Sequence, residues 1–171
     1  MFKKIALLAV FTLIFSVSRA FAAPLPVYEG GINTFIAAFN KMAAKTGCFK
    51  LDTKFESSED PEEYMYILNL SPKKEETAAI IFSDKKNNFT NIVFSSLDRN
   101  DIDKALKNSL RIAGSTDAEI NEVEFSYGTE PNVVGVACAA KKRCFYVTTV
   151  YLKDDGSYSF SIKADSDFPV G

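Results

Sequence analysis

Histidine and tryptophan are absent from this chain, and cysteine occurs only three times. Without histidine there is no Ser-His-Asp or Cys-His nucleophile pair, no imidazole metal site and no ordinary charge switch near neutral pH. Without tryptophan, one common stacking platform for sugars and bases is gone. The composition therefore predicts no enzyme of the usual hydrolytic kinds, no metal centre and no cofactor. Long apolar runs are scarce too. One stands out, residues 5–17, broken only by Thr12 and Ser16.

That run follows Lys3 and Lys4 and leads to Ala20-Phe21-Ala22, small residues of the kind signal peptidase requires. A basic start, a short apolar stretch and a small-residue site are the three parts of a secretory signal peptide, and the stretch is short for a membrane span. No cysteine follows at the position a lipoprotein would need. Residues 1–22 are expected to be a signal peptide, and the protein to be exported, periplasmic or secreted. Residues 23–98 and 99–171 are expected to form two units sharing one core. Cleavage removes three basic side chains and no acid, leaving 17 basic against 22 acidic residues and a formal charge of −5. Mild acidity predicts no nucleic-acid partner. With no second long apolar run, no membrane span is expected after cleavage.

The remaining chain reads as one pattern written twice. In residues 31–45, Ile32, Phe35, Ile36, Phe39, Met42 and Ala43 recur at helical spacing, and Gly47 follows as a C-cap. Strand-like runs over residues 49–55, 64–70, 78–83 and 89–97 come next, separated by turn compositions such as Asp60-Pro61 and Pro72-Lys73-Lys74. A second helix then starts at an Asp98 or Asn100 cap, carries the stripe Ile102, Leu106, Leu110 and Ala113, and ends at Gly114. Four runs follow again, over residues 119–127, 133–139, 144–152 and 157–163. Gly47 and Gly114, Pro61 and Pro131, Lys73 and Lys141, and Asp84 and Lys153 match at an offset of 67 to 70 residues. This predicts an α+β fold: a tandem helix-plus-four-stranded antiparallel meander repeat (α-β4-α-β4), with both helices packed on one sheet face.

Cys138 and Cys144 flank a short basic turn between two predicted strands, and an exported chain meets an oxidising compartment. A Cys138–Cys144 disulfide is expected, with Cys48 left as a packed thiol. Asp98, Asn100, Asp101 and Asp103 lack the ligand spacing of a calcium loop and read as acids complementing a helix start. Lys73-Lys74 and Lys141-Lys142-Arg143 fall in equivalent turns and read as solvated charge.

The middle strands are apolar on both sides: Tyr64, Tyr66 and Leu68 against Met65 and Ile67, and Tyr146 and Val150 against Phe145, Val147 and Tyr151. A sheet covered on one face by helices needs only one apolar side. The surplus predicts a binding face, with Met65, Tyr66, Ile67, Tyr146 and Tyr151 as candidate contacts. The element order resembles that of the tandem helix-plus-four-strand inhibitors of the β-lactamase-inhibitor-protein type, and of the cystatin-like and PepSY-like modules of bacterial envelopes. That resemblance implies a non-enzymatic protein whose sheet engages another protein; no binding residue is carried over from it. A carrier holding a small apolar ligand between sheet and helices is the alternative, and a histidine-free hydrolase the third. An aromatic open face, an enclosed pocket, or a cleft of converging polar groups would separate the three.

Overall fold

The computed structural model of the chain describes residues 25–59, 63–71 and 77–165; the predicted signal peptide, its cleavage site and the Lys73-Lys74 turn lie outside the described residues. Helix α1 (Gly31–Thr46) precedes strands β1 (Lys50–Glu59), β2 (Tyr64–Ser71), β3 (Ala78–Ser83) and β4 (Phe89–Ser96). Helix α2 (Arg99–Ala113) and the short helix α3 (Asp117–Asn121) lead to β5 (Asn132–Cys138), β6 (Arg143–Leu152) and β7 (Ser157–Asp165). All strands join one antiparallel sheet of order β1-β2-β3-β4-β7-β6-β5, so the halves meet where β4 pairs with β7.

The helices begin and end where the sequence predicts. Gly47 closes α1 in the left-handed region at φ 65°, its N–H donating to the Ala43 carbonyl. The Asp98 carboxylate caps α2 by accepting from the Asn100 N–H, and Gly114 (φ 115°) ends it. Their apolar stripes, Ile32, Phe35, Ile36 and Phe39 from α1 and Ile102, Leu106 and Leu110 from α2, enter one core cluster. The sheet contributes alternate residues to it: Tyr66 and Leu68, Ala79 and Ile81, Ile92 and Phe94, Phe160 and Ile162, Phe145 and Val147, and Val136. Rings tie the layers. Phe94 lies 5.5 Å from Phe39 and 5.3 Å from Phe160 between ring centroids. Asn40 fixes α1 to β1 through two bonds, Nδ2–H to the Leu51 carbonyl (2.8 Å) and the Leu51 N–H to Oδ1 (2.7 Å).

Two expectations are corrected. Among the described residues the second half carries three strands, not four, and the sheet seven in all. Residues 117–121 form α3, and the rest of the expected first strand lies outside the sheet. The predicted alternation is nevertheless present. Val123, Phe125 and Tyr127 pack against the core while Glu122, Glu124 and Ser126 are exposed. The segment is tied to β6, the Thr149 hydroxyl donating to the Ser126 carbonyl and the Tyr151 N–H to the Gly128 carbonyl.

The Cys138–Cys144 disulfide does not form; all three cysteines remain thiols. Across the β5–β6 hairpin, Cys138 pairs with Arg143 and Cys144 with Ala137. Cys138 belongs to the helix-side core, whereas Cys144 occupies the alternate position of its strand. Successive side chains of a strand point to opposite faces, so the two sulfurs are separated by the sheet itself.

Candidate functional site

With the helices on one face, the opposite face of the sheet is the candidate site. Its side chains run in rows across the strands. One row is Ser58, Met65, Phe82, Asn91, Lys163, Tyr146 and Gly135; the next is Glu56, Ile67, Ile80, Val93, Ser161, Thr148 and Val133. The face is two-toned. On the β2–β4 side, Ile80 (4% exposed) and Val93 (2%) form an apolar cluster separate from the core, with half-buried Met65 and Phe82 against it. No helix among the described residues contributes to that cluster. On the β7–β6 side the face turns polar, with Ser159, Ser161 and Thr148.

Between the two halves lies a polar centre. Asn91 is 6% exposed and its Oδ1 is buried without a hydrogen-bond partner. Lys163, its β7 partner, has its pKa lowered because burial strips water from the ammonium, with Glu63 acting in the opposite sense. Tyr146 stands beside Lys163 on β6. A buried carbonyl oxygen left unbonded costs about 1–3 kcal/mol.

The five predicted contacts divide between the faces. Met65, Ile67 and Tyr146 lie on the face opposite the helices. Tyr66 lies on the helix side, buried, with its hydroxyl donating to Asn87 Oδ1 (3.1 Å) and its ring edge-on to Phe55. Tyr151 also faces the helix side, 5.0 Å from the Tyr158 ring. It borders a pocket of about 230 Å³ with Thr129, Leu152, Lys153, Asp154 and Asp155, at the β6–β7 hairpin and not between sheet and helices. Ile80, Phe82, Val93, Asn91 and Lys163 also line this candidate face and are not among the contacts the sequence points to. Asn91 was the available signal: a lone amide inside an apolar central strand, where a polar group needs a reason.

Elsewhere, Tyr127 sits under α2, with the Arg99 guanidinium 5.3 Å from its ring centroid. Its phenol is pushed up, first by burial and then by the Asp103 carboxylate, which rules it out as a base near neutrality. Among the described residues no group of three or more acidic or cysteine side chains could hold a metal ion, and no helix is long and apolar enough to cross a membrane. Comparison of the chain with family models, curated proteins and solved structures gives no match.

Proposed function

We propose that this is an exported, non-enzymatic binding protein that engages another protein through the sheet face opposite its helices. The observation that carries this reading is the Ile80–Val93 cluster, an apolar patch outside the core that continues into the unsatisfied Asn91 and the Lys163–Tyr146 pair. Apolar area with a few fixed polar groups beside it is the anatomy of a protein contact. The phenylalanine stack occupies the interlayer space around Phe94, which weighs against a ligand chamber at that point. We further read the strand order, symmetric about the β4–β7 junction, as two copies of one helix-plus-meander unit, the second having lost its first strand.

Tyr146 and Tyr66 provide the test, being similar side chains on opposite faces. Captured partners from the envelope fraction of the source cell are quantified against each variant. Tyr146→Ala should weaken capture by about 2 kcal/mol while barely moving the melting temperature. Tyr66→Ala should lose stability first, by about 3 kcal/mol or more. Undiminished capture by Tyr146→Ala and by Ile67→Asp would refute the binding face.

A further inference from the structure

Arg143 stands at the start of β6 with 7% of its surface exposed, although the sequence pattern places it in a solvated basic turn. Its Nε is buried with no hydrogen-bond partner. Neither of the ion pairs found among the described residues, Arg99–Asp103 and Arg111–Asp117, involves it. The guanidinium carbon lies 5.6 Å from the centroid of the Phe145 ring. Burying a guanidinium without a counter-charge is among the costlier things a fold does.

A second cation is held next to the first. Lys141 lies in the 3-10 turn Ala139–Lys141, and Lys142, left-handed at φ 51°, returns the chain into β6. Lys141 does not extend into water. It folds back over the C-terminus of α2: a β-carbon on Gly114 would stand 3.4 Å from Lys141 Cε and 3.4 Å from Cys138 Sγ. Cys138 is the cross-strand partner of Arg143 on the same face, so the thiol, the ammonium and the guanidinium share one corner of the molecule. Burial lowers the Lys141 pKa, and the nearby Arg143 charge lowers it further. The carboxylate acting in the opposite sense on Lys141 is the exposed Glu29 in the lead-in, and among the described residues it forms no ion pair with either cation. The C-terminal end of α2 gives the ammonium partial compensation.

We infer that Arg143 and Lys141 form a binding site for a small oxyanion, a phosphate, sulfate or carboxylate group, seated where the two cations meet at the β5–β6 hairpin. A planar guanidinium fork beside a point-charge ammonium suits oxygen anions, and such a ligand removes both the repulsion and the missing counter-charge. The site lies on the helix side of the sheet, so it stands or falls independently of the proposed protein-binding face.

The purified protein is titrated at constant ionic strength with sodium phosphate, sodium sulfate and sodium acetate, while the Arg143 Nε–H resonance and the melting temperature are followed. A saturable shift of that resonance is expected, with a rise in melting temperature of about 5 °C near saturation. Response to phosphate and sulfate alone identifies a tetrahedral oxyanion; response to acetate alone identifies a carboxylate. Arg143→Met should abolish the anion-dependent rise in melting temperature and, without ligand, melt no lower than the parent, because an uncompensated charge has been exchanged for an apolar chain. Lys141→Gln, at a half-buried turn position, should weaken binding at least fivefold and serves if Arg143→Met fails to fold. Absence of a saturable shift with all three anions, or unchanged affinity in Lys141→Gln, overturns the assignment.

Discussion

Phe94 joins the two halves of the molecule, and its removal tests whether they fold as one. The ring is fully buried in β4, stacked on Phe39 of α1 (13° between planes) and on Phe160 of β7 (23°), with Phe49 at 5.9 Å. Phe94→Ala leaves a hole bordered by a helix, a neighbouring strand and the residue before β1. Each is held by its own bonds, Phe160 by the β4–β7 and β6–β7 ladders, so the walls cannot collapse into the gap. The loss should therefore fall in the upper part of the usual Phe→Ala range, about 4–5 kcal/mol. Against a domain stability of about 5–15 kcal/mol that is a large fraction, and at about 2–4 °C per kcal/mol the melting temperature should drop by roughly 10–15 °C. Urea unfolding followed by circular dichroism gives the free energy, and amide exchange shows where the chain opens. A loss below about 2 kcal/mol would defeat the argument. So would exchange in which β1–β3 open while β5–β7 keep the parent's protection, because the halves would then be separate folding units.

Gly135→Ala should destabilise by about 1–3 kcal/mol, because its β-carbon would stand 2.9 Å from the Cys144 sulfur; Cys144→Ala in the same chain should recover most of that loss, and chemical denaturation showing a neutral single variant would refute the clash. Glu119 has its pKa lowered chiefly by the Thr116 and Ala139 N–H groups it accepts from, so its carboxylate stabilises the fold above the unfolded-state value near 4.5, and this contribution is lost as pH falls through the lower folded-state pKa. Glu119→Gln should accordingly melt below the parent at pH 7, with the gap closing toward pH 3; a gap that is constant across this range would show that the charge plays no part.

Much of this fold was legible because local signals agreed with one another. The α1 and α2 stripes, the Asp98 cap and the two glycine stops each specify a helix boundary by short-range chemistry, and the structure places them accordingly. The strand runs were legible for the same reason, to within a residue or two at most ends. Sidedness was not. Apolar residues on both sides of β2, β3 and β6 leave the period-2 pattern without a phase, and tertiary packing of the helices sets which side enters the core. That is why the sequence pattern groups Tyr66 and Tyr146 as contacts although they lie on opposite faces. The disulfide expectation failed at the same level. Facing positions in a hairpin depend on register, and Cys138 sits opposite Arg143, one residue away from Cys144.

Residues 116–128 explain the asymmetry between the halves. In the first half, β1 forms an edge guarded by Lys50, Asp52, Lys54 and Glu56 and by an irregularity between Leu51 and Phe55, devices that discourage further pairing. An eighth strand beside β5 would have supplied the counterpart. The Thr116–Glu119 capping box turns the chain into α3 instead, and Glu119 Oε1 also accepts the Ala139 N–H at 2.7 Å. The Ser115 hydroxyl bonds the Ala137 carbonyl at 3.0 Å, so side chains take up polar groups at the end of β5 that another strand could have paired. The chain then delivers Val123, Phe125 and Tyr127 to the core, with Tyr127 edge-on to Tyr158. Fully burying such a side chain is worth about 1.5–3 kcal/mol and partial burial, as here, a share of that, whereas a backbone hydrogen bond gained in a ladder nets about 1 kcal/mol. Three partly buried apolar anchors therefore offset the few ladder bonds forgone. An alternating pattern specifies a half-buried extended segment; the capping box just before it decides that the segment runs under the helix and not along the sheet.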